Sequence, residues 1–219
     1  MFWYLFFAHL VADFPLQTYW MAVNKHRISV LFLHVLIHLL VSFFIISLVA
    51  FELWPFVVVL AIIHFLIDYG KTYISKLRPN WVIASYFVDQ LLHVSSIVLI
   101  SVLIAGRSGI PPFALEPIWL ILMIAYLMIT YVWYISERII GTIDSDYFKQ
   151  VVDKAWSRML ARTLFLTLML VSLISVSSVN LAFASLVRFP YRAESFGYRA
   201  LLIDLLVSSG GAVFILLVI

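Results

Sequence analysis

Four pairs of side chains with metal-binding chemistry recur at one spacing near the start of the chain: His9 and Asp13, His34 and His38, His64 and Asp68, Asp89 and His93. Residues four positions apart on an α-helix lie one above the other on a single face. The pairs use five of the six histidines in a chain that is only 11% charged. Imidazole and carboxylate together suit Zn²⁺, Fe or Mn. The chain has no cysteine, so thiolate sites, Fe–S clusters and disulfides are excluded. Eight candidate ligands suffice for one or two ions, and Zn²⁺ is the first expectation. A catalytic ion keeps one position for water and lowers its pKa to about 7, which makes Asp13, Asp68 and Asp89 the candidate general bases. The alternative is a hydrogen-bond network that only holds helices together. That alternative suits an isolated His–Asp pair better than four pairs.

The elements that must carry these residues follow from the background they sit in. The chain is 65% hydrophobic, with a mean hydropathy of +1.11. Soluble domains average about 45–50% apolar and about 25% charged residues. The expected fold is all-α, a polytopic transmembrane bundle of six to seven membrane helices in a single domain over 1–219. A four-helix His/Asp core occupies 1–105, and peripheral helices occupy 113–219. The pairs fall on helices expected at about 2–21, 29–50, 56–71 and 81–106. Pro15 is expected to kink the first of these and to free the carbonyl of Val11. Residues 1–22 have no basic leading segment and read as a retained helix. Further helices are expected at 118–135 and at 200–219, the latter interrupted by Asp204 and by Gly210-Gly211. Residues 142–158 read as an interfacial helix. A net charge of +3 reports membrane orientation here, and no nucleic-acid partner is expected.

Residues 159–187 read as one long, mostly apolar run with Ser175-Val-Ser-Ser-Val-Asn180 in its middle, about 43 Å if straight, against a hydrocarbon core of about 30 Å. A re-entrant hairpin broken within 175–180 keeps Arg188, Arg192 and Arg199 on the side of Lys25, Arg27, Lys71, Lys76 and Arg78. That side is then cytoplasmic and the N-terminus lies outside. Counted from the cytoplasmic helix ends, all four pairs lie between about 5 and 19 Å deep, in one slab. Gln17 and Gln90 read as donors behind the ligands, and His26 as solvated. Glu137, Arg138, Asp144 and Asp146 read as a solvated interfacial cluster. Asp204 stands alone in its span, with Arg138 or Arg199 as candidate partners.

The stretches His9-Leu-Val-Ala-Asp13-Phe-Pro-Leu-Gln17, Leu33-His34-Val-Leu-Ile-His38, His64-Phe-Leu-Ile-Asp68-Tyr and Asp89-Gln-Leu-Leu-His93 resemble the signature of the domain of unknown function 3307 family. Its members are small polytopic membrane proteins of prokaryotes. A looser similarity continues through Glu137-Arg138-Ile-Ile-Gly141 and Ala184-Ser-Leu-Val-Arg188-Phe. The resemblance implies the cytoplasmic (inner) membrane of a bacterium or archaeon and brings no established activity with it. A more distant similarity is to membrane-bound metal-dependent hydrolases, whose intramembrane His and Asp residues hold zinc. The expected function is a membrane-embedded metalloprotein, a metal-dependent hydrolase acting on a lipid or lipid-linked substrate from the cytoplasmic side. The alternatives are a metal-ion or proton transporter using the same residues, or a non-catalytic subunit of a homo-oligomer or membrane complex. The outer halves of the first four helices contain almost no ionisable residues, which favours the enzyme.

Overall fold

Pro15 shapes the beginning of the fold more strongly than a kink would. The computed structural model describes residues 1–108, 117–174 and 197–218, and there the first helix, α1 (Phe2–Asp13), stops two residues before the proline. Phe14 keeps a helical backbone and its N–H donates to the Leu10 carbonyl at 3.1 Å, but Pro15 has no N–H to carry the ladder further. The carbonyl of Val11 is not left free, because it accepts from the Leu16 N–H at 3.1 Å. Thr18 then starts α2 (Tyr19–Asn24), its hydroxyl accepting from the Met21 N–H at 3.2 Å. The single helix expected over 2–21 is therefore two helices joined by a turn.

The next three helices are long. They are α3 (Ile28–Ser47), α4 (Trp54–Leu77) and α5 (Val82–Ser108). Pro55 sits in the first turn of α4, where its missing N–H costs nothing. At the other end α4 runs well past the expected stop near Lys71. Lys71 and Lys76 do not end a helix, because lysine is a good helix former. Arg78, which precedes Pro79, is out of the helical region at φ −133° and ψ 72°, and the helix ends at the residue before it.

Residues Met1–Glu116 form one compact unit and Pro117–Ile219 a second. In the first unit α1 packs on α3 and α5, α3 on α4, and α4 on α5, so four helices close a ring around one axis. One end of that ring is a dry core of Phe2, Leu5, Ile46, Val57, Leu60, Ile97, Ile100 and Ile104. The four polar pairs occupy the other end, toward the connections at 14–27 and 78–81.

The second unit begins with α6 (Ile118–Leu127), a π-helical turn at Met128–Val132 and α7 (Trp133–Ile140). Next come α8 (Ser145–Asp153), α9 (Ala155–Ile174) and α10 (Gly197–Val218). Asp144 caps α8, accepting from the N–H groups of Asp146 at 2.9 Å and Tyr147 at 3.2 Å. The interfacial segment expected at 142–158 is divided at Lys154, and residues 155–158 belong to α9. Neither Asp204 nor Gly210-Gly211 interrupts α10. Gly211 is a packing position, because a Cβ there would lie 2.8 Å from Ile129 in the π-helical turn.

Among the described residues no strand occurs, and five segments are long and apolar enough to cross a membrane: Ile28–Ser47, Phe51–Leu77, Pro79–Arg107, Ile118–Ile143 and Gly197–Val218. This is a multi-pass helical membrane protein. α1 is a shorter apolar helix, about 18 Å long at 1.5 Å per residue. The expected hairpin break at 175–180 lies outside the described residues.

Candidate metal centre

Each polar pair projects from one helix toward the axis of the first unit: His9 and Asp13 from α1, His34 and His38 from α3, His64 and Asp68 from α4, Asp89 and His93 from α5. All eight residues are buried. The alternation of chain direction sorts them by depth. Asp13, His34, Asp68 and Asp89 form the layer nearer the 78–81 end, and His9, His38, His64 and His93 form the layer one turn further in. Another turn inward lie Ser42 and Ser96, both buried, and then the apolar core.

The tightest convergence is on Asp13. Its Oδ1 lies 3.0 Å from His38 Nε2, 3.1 Å from His34 Nε2 and 4.0 Å from His64 Nε2. His34 Nε2 and His64 Nε2 are 3.1 Å apart. Donor atoms of Asp13, His34, His38 and His64 all lie within 4.8 Å of one another. A tetrahedral zinc site with bonds of about 2.0–2.1 Å has ligand–ligand edges of about 3.3–3.4 Å, close to these separations. Two further sets meet the same distance limit: His9, His64 and His93, and Asp68, Asp89 and His93. The sets share His64 and His93, so they are neighbouring parts of one centre.

Hydrogen bonding inside the protein does not satisfy this centre. His9 Nε2, His34 Nδ1, both ring nitrogens of His93 and Asp89 Oδ1 are buried without a hydrogen-bond partner. His93 Nε2 and Asp89 Oδ1 are 3.4 Å apart, near enough for electrostatic attraction but without hydrogen-bond alignment. Orphaned lone pairs in a buried site are costly unless an ion or water takes them. A cavity of about 20 Å³, enough for a single water, opens between the His9, His38, His64 and His93 rings with Ser42 and Ser96, and the apolar Val57, Leu60, Ala61 and Ile97. The residue types, their separations and their unmet lone pairs all fit a divalent ion.

Two residues of the centre were not foreseen from sequence. Lys25, just after α2, donates to Asp68 Oδ2 at 2.9 Å, and Lys71 on α4 donates to Asp89 Oδ2 at 2.6 Å. The first contact spans 43 positions and the second 18, so neither has a local signature. Asp13 is the one aspartate of the three that has no lysine on it in these pairs. Gln90 bridges carboxylates, its Nε2 lying 3.4 Å from Asp13 Oδ2 and 3.3 Å from Asp89 Oδ2. Gln17 Oε1 is buried and unpartnered. His26 is exposed and donates to the Val23 carbonyl at 3.2 Å.

A family model described as "Protein of unknown function (DUF3307)" matches residues 1–122, more than half of the chain. The chain belongs to this family. The matched segment contains all eight residues of the centre and both lysines. No curated protein and no solved structure matched. The family thus coincides with the first unit and its polar axis.

The second unit has a polar cluster of a different kind. Asp204 on α10 accepts from Arg158 at 2.7 and 2.9 Å and from Arg162 at 2.9 Å. Glu137 on α7 accepts from Arg158 at 2.8 Å and from the Tyr147 hydroxyl at 2.7 Å. Glu137 and Asp204 are buried at 3% and 0% exposure, so Glu137 is not part of a solvated cluster and Asp204 is not alone. Among the described residues its partners are Arg158 and Arg162 of α9, where the sequence suggested Arg138 or Arg199. Burial and the neighbouring Glu137 carboxylate push the Tyr147 phenol above its usual range. Among the described residues, two arginines face two carboxylates in this cluster.

Proposed function

We propose that the first unit is a membrane-embedded divalent-metal centre that hydrolyses an ester of a lipid or lipid-linked substrate, reached from the end where Lys25 and Lys71 lie. The observation that carries this reading is the convergence of four buried donor atoms, from Asp13, His34, His38 and His64, at separations a four-coordinate ion requires. These four hold the ion, with Zn²⁺ favoured over Fe or Mn by the imidazole-rich set. His9 and His93 border the small cavity and hold water beside it. A bound divalent ion supplies a polarised water at neutral pH. Asp68 and Asp89 lie outside the four-ligand set, and Asp89 Oδ1 has a lone pair to receive that water's proton. With an ion held by Asp13, His34, His38 and His64, the chemistry supplied would be attack of a polarised water on the acyl or phosphoryl centre of the ester, with the proton from that water ending on the departing alcohol.

The apolar core argues for an enzyme over a transporter. A conduction path needs polar groups on both sides of the centre. Leu5, Ile46, Leu60, Ile97 and Ile100 close the side away from the lysines. The opposite side carries Lys25, Arg27, Lys71, Lys76 and Arg78, which supports reading it as the cytoplasmic one, with the N-terminus outside.

The test is metal analysis of protein purified without a metal-affinity tag, paired with hydrolysis assays on lipid esters before and after chelation. Stoichiometric divalent metal and chelator-sensitive turnover are expected. Protein that retains no metal after supplementation with Zn²⁺, Fe²⁺ or Mn²⁺ ends the proposal.

A further inference from the structure

The two unforeseen lysines narrow the substrate class, an inference that rests on the metal-centre reading. Among the described residues of the first unit, the acidic residues near this end are the buried Asp13, Asp68 and Asp89; Glu52 lies in the connection at the opposite end. Five cations crowd the same end: Lys25, Arg27, Lys71, Lys76 and Arg78. The charge of this end is positive before any metal is counted, and a divalent ion makes it more so. A field of that sign concentrates anions at this end of the unit.

The lysines differ in placement from the rest of that rim. Arg27, Lys76 and Arg78 are exposed. Lys25 and Lys71 reach inward, with side chains 13% and 29% accessible, so each ammonium touches a carboxylate of the centre while part of its side chain stays at the surface. An ammonium has three N–H donors, and one bond to Asp68 or Asp89 leaves donors for a second acceptor. Lys71 also lies 5.8 Å from the centre of the Tyr86 ring, which limits where its stem can go.

We propose that Lys25 and Lys71 are a phosphate-receiving pair at this end of the metal centre, so that the substrate is a phosphorylated, membrane-resident molecule. A phosphate has three or four oxygens to share between two ammonium groups and an ion, whereas an uncharged carboxylic ester has no use for the pair. Asp68 and Asp89 hold the lysines in place, which makes them positioning residues for the anion as well as neighbours of the ion.

The test uses the full chain in phosphatidylcholine nanodiscs, probed with short-chain phosphatidic acid and, separately, with inorganic phosphate. Lysine reactivity toward an acetylating reagent is read residue by residue by mass spectrometry. Bound phosphatidic acid is expected to slow acetylation of Lys25 and Lys71 about tenfold and to leave Lys76 unchanged. Binding of the same lipid is expected to weaken about tenfold in Lys25→Met and in Lys71→Met, and to survive in the Lys→Arg variants. Protection by inorganic phosphate as well as by the lipid supports recognition of the phosphate group itself, and protection by the lipid alone supports a headgroup held by its chain. No protection of either lysine at saturating lipid overturns the proposal, and that measurement needs no variant to fold. Metal content is measured on the same samples. Metal without lysine protection defeats the phosphate pair and spares the metal centre, whereas protection without metal does the reverse.

Discussion

Asp13→Asn is the sharpest perturbation of the centre. The substitution keeps the shape of the side chain and one oxygen, but removes the negative charge on which His34, His38 and His64 converge at 3.1, 3.0 and 4.0 Å. Without metal the cost is modest, because an amide oxygen still accepts from imidazole N–H groups. Losing the charge on those bonds costs about 1–2 kcal/mol. With metal the loss is larger. An ion held at one hundred times its Kd stabilises the folded state by about 2.7 kcal/mol, which in a unit of this size is about 10 °C in melting temperature. Replacing an outer partner typically costs 10–100-fold in metal affinity, so removing a direct anionic ligand is expected to cost more than about 100-fold. The assay is thermal unfolding in detergent, with and without chelator, beside metal content by mass spectrometry. Wild type is expected to lose about 10 °C on chelation, and Asp13→Asn to melt a few degrees below chelated wild type whether or not chelator is present. Equal metal content and an equal chelator response in the two proteins would refute the four-ligand assignment.

Other consequences follow from the second unit. Asp204→Asn leaves the buried Arg158 and Arg162 with Glu137 as the carboxylate facing both among the described residues and is expected to destabilise this unit by about 3 kcal/mol, read as a melting shift independent of metal. Gly211→Ala places a methyl 2.8 Å from Ile129 and is expected to cost about 1–3 kcal/mol, whereas Gly210→Ala meets nothing and is expected to be neutral or stabilising; equal melting temperatures for the two variants would contradict the packing described. Tyr147 has its phenol pKa raised on folding, so it contributes stability that is present below its unfolded value near pH 10 and lost as pH climbs above it. Tyr147→Phe is expected to flatten that alkaline part of the stability profile, and an unchanged profile counts against the Glu137 contact.

The sequence by itself determined the helical membrane class and the inward face of four helices. Both are local properties. Apolar content over about twenty residues decides partition into a bilayer, and four-residue spacing decides that His9 with Asp13, or His64 with Asp68, share a face. The shared depth of the pairs was legible for the same reason, because it is counted along single helices. Helix ends were less legible where lysines resembled a loop, as at Lys71, and where Pro15 divides a helix instead of bending it. Tertiary structure alone decided the partners. Lys25 reaches Asp68 across 43 positions, and Arg158 reaches Asp204 across 46. Such pairings depend on which helices become neighbours and how they are rotated, and one charged residue in an apolar run carries no mark of its partner. Glu137 read as solvated because its neighbours in sequence are polar, yet α8 and α9 bury it. A buried charge is specified by what packs over it, and that packing is settled only when the helices assemble.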